Sequence, residues 1–251
     1  EQYRAIAVVN GVEYVYDLPK VRAQGYVLTI DNSGKKIRFR MSTNRPQGLT
    51  DMLLVGHVRG QLFCTVEGEA DKSMMVGELS TKDIPDGVAH FTLFTATGVP
   101  VCERLVFVDH PYNDVEVAIT TDQQIYETRQ AVKVTLDVEG LTEEELANLS
   151  LSVTDQVVVK TPMTVDNIKS WLLLNSDLKG AIEQPGYYFT EPMTDERRRL
   201  LDLLLLTQGW RRFVWKEVLE QDVQRPRYEV EDGIYIKGTA TKWQKPEQPV
   251  T

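Results

Sequence analysis

Three histidines, two cysteines and a run of three glutamates are where reactive chemistry would have to come from in this 251-residue chain. His57 and His90 fall in separate strand-like runs, and His110 sits in a link beside Pro111. A metal site or an acid–base pair needs such rings to converge on one point. Nothing local brings these three together, so they are read as surface residues or hydrogen-bonded core residues. Cys64 and Cys102 each lie in an apolar run, and no CxxC or clustered His/Cys spacing accompanies them, which argues against zinc. Two small buried side chains is the simpler reading of the pair. A disulfide between two strands is the alternative, and it requires Cα atoms within about 7 Å. Glu143, Glu144 and Glu145 lie between Gly140 and Leu146. Catalytic carboxylates are held apart in differing environments, whereas three adjacent exposed ones read as a solvated loop or short helix. No GxSxG elbow, HExxH helix, P-loop or GxGxxG is present. The expectation is no catalytic residue, no cofactor-binding residue, no metal ligand and no enzymatic activity.

The basic residues cluster in two places, Arg197-Arg198-Arg199 and Arg211-Arg212, on either side of a leucine-rich stretch that Gly209 closes. One reading is a polar helix end whose long stems lie along apolar neighbours. The sharper reading is a contact surface, because guanidinium suits interface ion pairs and aromatic side chains dominate interfaces. Arg197, Arg198, Trp210, Arg211 and Arg212 are the residues expected to form it. The nearby Trp171, Trp215, Tyr187, Tyr188 and Phe189 read first as core.

The elements that would position these groups are mostly strands. Residues 6–9 and 12–16 flank Asn10-Gly11, the strongest short hairpin signal, because both turn residues tolerate positive φ. Residues 26–30 and 36–41 follow, the second alternating polar and apolar as a strand with one wet face should. Further short strands at 52–58, 61–66, 74–79, 90–94 and 101–108 are separated by turn chemistry such as Pro85-Asp86-Gly87 and Thr97-Gly98. Many short strands at this spacing predict a β-sandwich over residues 1–109.

Residues 109–114 read as a linker, and alternation resumes at 115–119, 132–138, 149–153 and 157–159, predicting a second, smaller sandwich over 110–232. A helical insertion interrupts it at about 164–222. Thr164 is read as an N-cap, with Val165, Ile168, Trp171 and Leu172 at helical spacing. Thr194 caps a second helix, with Asp195 and Glu196 in the first turn where the helix dipole favours anions. Leu200, Leu201 and residues 203–206 make that helix apolar nearly all round, so burial is expected. Residues 210–219 read as a third helix, and 233–239 return to strand before a polar tail at 242–251. The fold class expected is therefore mainly β, two immunoglobulin-like sandwiches with a helical segment near the C-terminal end.

Composition narrows the function classes. Hydrophobic residues make up 42% and charged residues 26%, as in ordinary globular domains. A net charge of −9 disfavours nucleic acid and anionic membrane surfaces, both of which need clustered Lys and Arg. No segment carries the ~18 apolar residues of a transmembrane helix. The first residue is Glu1 rather than Met, which is read as a processed or excised piece.

Two stretches carry a family likeness. Ile84-Pro85-Asp86-Gly87-Val88-Ala89-His90-Phe91-Thr92-Leu93-Phe94, continuing through Gly98 to Val108, resembles the last strands of a macroglobulin-type (MG) domain. Asp122 and Tyr126 with Val132-Lys133-Val134 resemble the opening of the next one. Trp171-Leu172-Leu173-Leu174, Ser176 to Gly180, Pro185, Tyr187-Tyr188-Phe189 and Leu200 to Arg212 resemble a segment of large bacterial outer-membrane proteins. In those, MG-like domains precede a carboxypeptidase-regulatory-like β domain, of which residues 233–251 would here be the first strand, cut short, and a TonB-dependent receptor plug. The resemblance implies a cell-envelope location, periplasm or outer membrane, and a non-catalytic role whose partners are other domains of the same chain or envelope proteins. Protease-trapping macroglobulins carry a thioester motif containing Cys-Gly-Glu-Gln, and neither Cys64 nor Cys102 has that context. A protease-inhibitor fragment and a carbohydrate- or peptide-processing accessory domain are the alternatives.

Overall fold

The computed structural model describes residues 2–139, 149, 151–155, 157–160, 164–208, 213–220, 241–242 and 245–249. The chain is mainly β and divides into two compact units, Glu1–Val214 and Trp215–Thr251. In the first unit, Arg4–Val9 (β1) and Val12–Asp17 (β2) pair as the expected hairpin. Asn10 and Gly11 take φ of 50° and 77°, the left-handed values a tight turn of this kind requires.

Seven strands follow: Tyr26–Asn32 (β3), Lys36–Thr43 (β4), Leu53–Val58 (β5), Gln61–Glu67 (β6), Met74–Ser80 (β7), Gly87–Phe94 (β8) and Pro100–Val108 (β9). They form two antiparallel sheets, β3-β4-β7 and β6-β5-β8-β9. One hydrophobic core takes residues from both. Ile37, Phe39 and Met41 come from β4, Leu54 and Val58 from β5, and Phe91 and Leu93 from β8. On β4 these residues are buried while the intervening Lys36, Arg38 and Arg40 are exposed, which is the period of two that the sequence displays. Gly77 on β7 lies opposite Phe39 on β4, and a Cβ there would sit 2.2 Å from the Phe39 ring, so the aromatic needs glycine as its neighbour. Asn32 Nδ2 donates to the Phe107 carbonyl at 2.6 Å, tying β3 to β9 and so one sheet to the other.

The central strand β8 is buried along all eight residues, hence on both faces. Ala89, Phe91 and Leu93 enter the shared core, and Val88 enters a second cluster formed with the segment near residues 174–205. That segment was expected as an insertion in a second domain. It packs instead on the first set of sheets, because Leu174, Leu178, Leu201 and Leu205 find their apolar partners at Val88 and Leu105.

The link at 109–114 is pinned to the first sheets. It contains a 3-10 turn, Pro111–Asn113, and His110 within it is buried between Asp86 and Thr81. Beyond it, Glu116–Thr121 (β10) and Val134–Glu139 (β11) form an antiparallel hairpin. The strands expected at 149–153 and 157–159 are not present in the residues described there, which are irregular at 149 and 151–155 and turned at 157–158. An alternating Leu-Ser-Leu-Ser-Val run has strand character only when a neighbouring strand takes up its backbone groups, and no described strand pairs with it.

The helical segment begins later than expected. Asn167, rather than Thr164, caps Ile168–Ser170 (α1), its side chain accepting from the Ser170 N–H while Ser170 Oγ accepts from the Asn167 N–H. A π-helical turn, Trp171–Asn175, and a 3-10 turn, Pro185–Phe189, follow. Thr194 caps Asp195–Thr207 (α2) as the sequence indicates, accepting from the Arg197 N–H at 3.2 Å. Leu201 and Leu205 are buried, but Leu203 and Leu206 are exposed. Helix α2 is therefore buried on one stripe and not all round: a single sheet face receives it, and one face covers one stripe.

The second unit contains Trp215–Leu219 (α3) and a short antiparallel pair, Thr241–Lys242 (β12) with Lys245–Pro249 (β13). The expected helix thus starts at Trp215 among the described residues, and two strands occupy part of the polar tail. The strand expected at 233–239 and the glutamate run at 143–145 lie outside the described residues. Among the described residues no helix is long and apolar enough to cross a membrane.

Candidate interaction surface

Polar contacts hold the helical segment to the first sheets at several points. Arg104 on β9 grips Asp202 of α2 with one nitrogen, at 2.6 and 2.8 Å to its two oxygens. Arg59 lies 3.7 Å from Asp177 and donates to the Asp86 carbonyl at 2.9 Å. Lys169 on α1 pairs with Asp114 at 2.7 Å and approaches Asp109 at 3.9 Å. Burial works against the Lys169 ammonium, but the Asp114 hydrogen bond and the Asp109 charge outweigh it and hold Lys169 above its ordinary range. Asp109 is pushed up, chiefly by burial, with Lys169 opposing and Asp114, Asp86 and Glu191 adding to the rise.

Of the residues expected to form an interaction surface, Arg197 turns inward. Its Nη1 donates to the Pro192 carbonyl at 2.6 Å and to the Thr190 carbonyl, and its guanidinium lies 5.0 Å from the centre of the Tyr187 ring. Arg197 thereby clamps the chain at 187–192 onto the start of α2. Arg198 is exposed and passes close to the turn at Gly34. Trp210, Arg211 and Arg212 lie outside the described residues.

The histidines converge more than local sequence indicates. His57 on β5 and His90 on β8 are paired across the two strands, and their rings stack at 4.8 Å with 12° between planes. Both are buried, the Phe213 ring is within 6.3 Å of each, and Glu103 Oε1 lies 3.6 Å from His90 Nδ1, beyond hydrogen-bond reach. Parallel stacked rings do not aim two lone pairs at one point, and no group of three metal-ligating side chains is found among the described residues. At His110, Nε2 faces the Thr81 carbonyl at 3.0 Å and Nδ1 faces Asp86 Oδ1 at 2.6 Å. Asn113 donates to the other Asp86 oxygen at 2.7 Å, so the ring is a fixed strut between the link and the β7–β8 turn.

Cys64 and Cys102 are free and half-buried. They lie on β6 and β9, the two outer strands of one four-stranded sheet. Three strand spacings of about 4.8 Å separate them, roughly 14 Å and twice the reach of a disulfide. Burial lifts the Cys64 thiol to about 11, partly offset by a hydrogen bond from Gly56, and also raises Cys102.

The features that sequence reading missed are two exposed apolar hairpin faces. The β1–β2 register places Ala5, Ala7 and Val9 on one face opposite Tyr16, Tyr14 and Val12, and all six residues are exposed. In β10–β11, Val117 faces Val138 and Ile119 faces Leu136, while the other face carries Glu116, Asp137 and Glu139. Val117 and Ile119 are exposed, Ile119 at 62%, while Leu136 and Val138 are half-buried, and Leu151 and Val153 in the following stretch are exposed as well. The Asn10-Gly11 turn could have revealed the first face, because a two-residue loop fixes which residues stand opposite each other.

No protein-family model matches this chain, and no curated protein matches it either.

Proposed function

We propose that this chain is a non-catalytic structural and interaction module of a TonB-dependent-receptor-like outer-membrane protein, working in the cell envelope against neighbouring domains or envelope partners. The observation that carries this reading is the pair of exposed apolar hairpin faces, at Tyr14 and Tyr16 on β2 and at Ile119 on β10. An isolated two-stranded hairpin is marginal in water, and contiguous exposed apolar surface marks a place where another surface belongs. The reading of residues 1–109 as a macroglobulin-type sandwich is supported by the core that β3-β4-β7 and β6-β5-β8-β9 share, and that of a second such domain opening after residue 114 by the one-sided β10–β11 hairpin. The net charge of −9 speaks against nucleic acid as the partner.

Photocrosslinking in cells that make the native protein tests this reading, with a photoreactive residue replacing Tyr14 or Ile119. The expected result is a discrete adduct with an envelope protein, or with a distant part of the same polypeptide. Absence of any adduct at both sites, with the protein recovered intact, would refute it.

A further inference from the structure

Between the π-helical turn Trp171–Asn175 and the chain that follows it lies an open cavity of about 620 Å³, within the range of small-molecule sites. Its wall is divided in kind. Trp171, Leu178, Ile182 and Pro185 give an apolar side, and Asp166, Asn175 and Lys179 a polar one. Trp171 is 54% exposed although it belongs to the segment that supplies the second core, so the indole is presented at the cavity and not spent on packing.

The polar side is held in a fixed orientation. Asp166 accepts from Ser170 Oγ through one oxygen and from Asn175 Nδ2 at 2.9 Å through the other. That bond commits the Asn175 amide nitrogen and fixes which way its carbonyl faces.

We propose that this cavity is a binding site for a neutral carbohydrate, with a pyranose ring lying against Trp171 and its hydroxyls directed to the exposed Asp166 carboxylate. A sugar offers both halves that the wall demands. Its C–H face suits the negative face of an aromatic ring, and its hydroxyls donate to the carboxylate oxygens. A purely apolar ligand makes no use of the Asp166 carboxylate on the polar wall. The inference is independent of the module reading above, since a structural domain can carry a sugar site and a sugar site does not require an envelope receptor.

The test is a titration of the full chain with neutral trisaccharides built from glucose, mannose, galactose or N-acetylglucosamine. Calorimetry gives the affinity, and 19F signals from 5-fluorotryptophan-labelled protein give the site. At least one sugar is expected to bind and to shift the Trp171 signal. Trp171→Ala should weaken that sugar roughly tenfold or more. Ala181→Arg, at an exposed position on the cavity wall, should abolish binding while leaving the melting temperature within a few degrees, so the test stands even if Trp171→Ala does not fold. No binding by any sugar at about 10 mM, the weakest range worth calling recognition, overturns the proposal. So does sugar binding that moves another tryptophan and survives Ala181→Arg, or binding of a peptide panel in place of the sugars.

Discussion

Helix α2 offers a comparison in which one residue type answers two different questions. Leu205 is 3% exposed against Val88 and Leu105, whereas Leu206, its immediate neighbour, is 54% exposed. Truncating a buried leucine to alanine loses the transfer free energy of its methyl and methylene groups and leaves a cavity, together about 2–5 kcal/mol. For a cooperative unit of 150–250 residues, each kcal/mol moves the melting temperature by about 2–4 °C. Leu205→Ala should therefore lower Tm by roughly 6–12 °C, taking about 3 kcal/mol as the loss. Leu206→Ala removes atoms that are already largely in water, and alanine is the better helix former, so it should stay within about 2 °C of the parent. Differential scanning calorimetry on the two variants and the parent settles the matter, with Leu201→Ala and Leu203→Ala as a second buried and exposed pair on the same helix. Equal shifts within either pair would refute the docking of α2 on β8–β9. A large shift at Leu206 alone would mean that the helix is rotated about its axis.

Three further expectations follow from named contacts. A double-mutant cycle on Arg104→Ala and Asp202→Ala should give a coupling of about 1 kcal/mol, because Arg104 is only 12% exposed and bonds both carboxylate oxygens; a coupling of zero would place the pair among ornamental surface contacts. Iodoacetamide should label native Cys64 at pH 8 at least a hundredfold more slowly than the urea-unfolded chain, since a thiol near 11 leaves roughly one molecule in a thousand as thiolate, against about a quarter for an ordinary cysteine; equal rates would contradict the burial. For Asp109, whose folded carboxyl is raised, the folded state holds the proton more tightly than the unfolded state does, so stability falls as pH rises through the region just above the ordinary value near 4. Asp109→Asn should accordingly be more stable than the parent in urea at pH 7, with the gain vanishing below about pH 4; a less stable variant at pH 7 would show that the attraction of Lys169 outweighs burial.

The strands of the two main sheets were legible because their signals are local. The alternation at 36–41, the Asn10-Gly11 turn and the Pro85-Asp86-Gly87 break each act within a few residues, and β4, β1–β2 and β8 lie where these signals put them. What covers the second face of β8 was not legible, since its partners at Leu174 and Leu201 lie some 90–110 residues further along the chain. The stacking of His57 on His90 depends on the β5–β8 register, which no local pattern in either strand states. The composition of α2 suggested burial all round, but composition counts leucines and cannot say how many faces the fold will cover. The run at 149–153 failed for the opposite reason: its alternation is a strand signal in isolation, and no described strand pairs with it. As for the expected arginine surface, Arg197 was read by type as an interface residue, while its contacts make it a clamp on the loop beside it.

The proposed role, one module of an envelope assembly, places this chain inside a larger outer-membrane polypeptide. The most direct measurement is an immunoblot of fractionated native cells, with antibody raised against the chain. The expected result is a band in the outer-membrane fraction, far above the 28.6 kDa of the chain itself. A soluble cytoplasmic band near 28.6 kDa would contradict it.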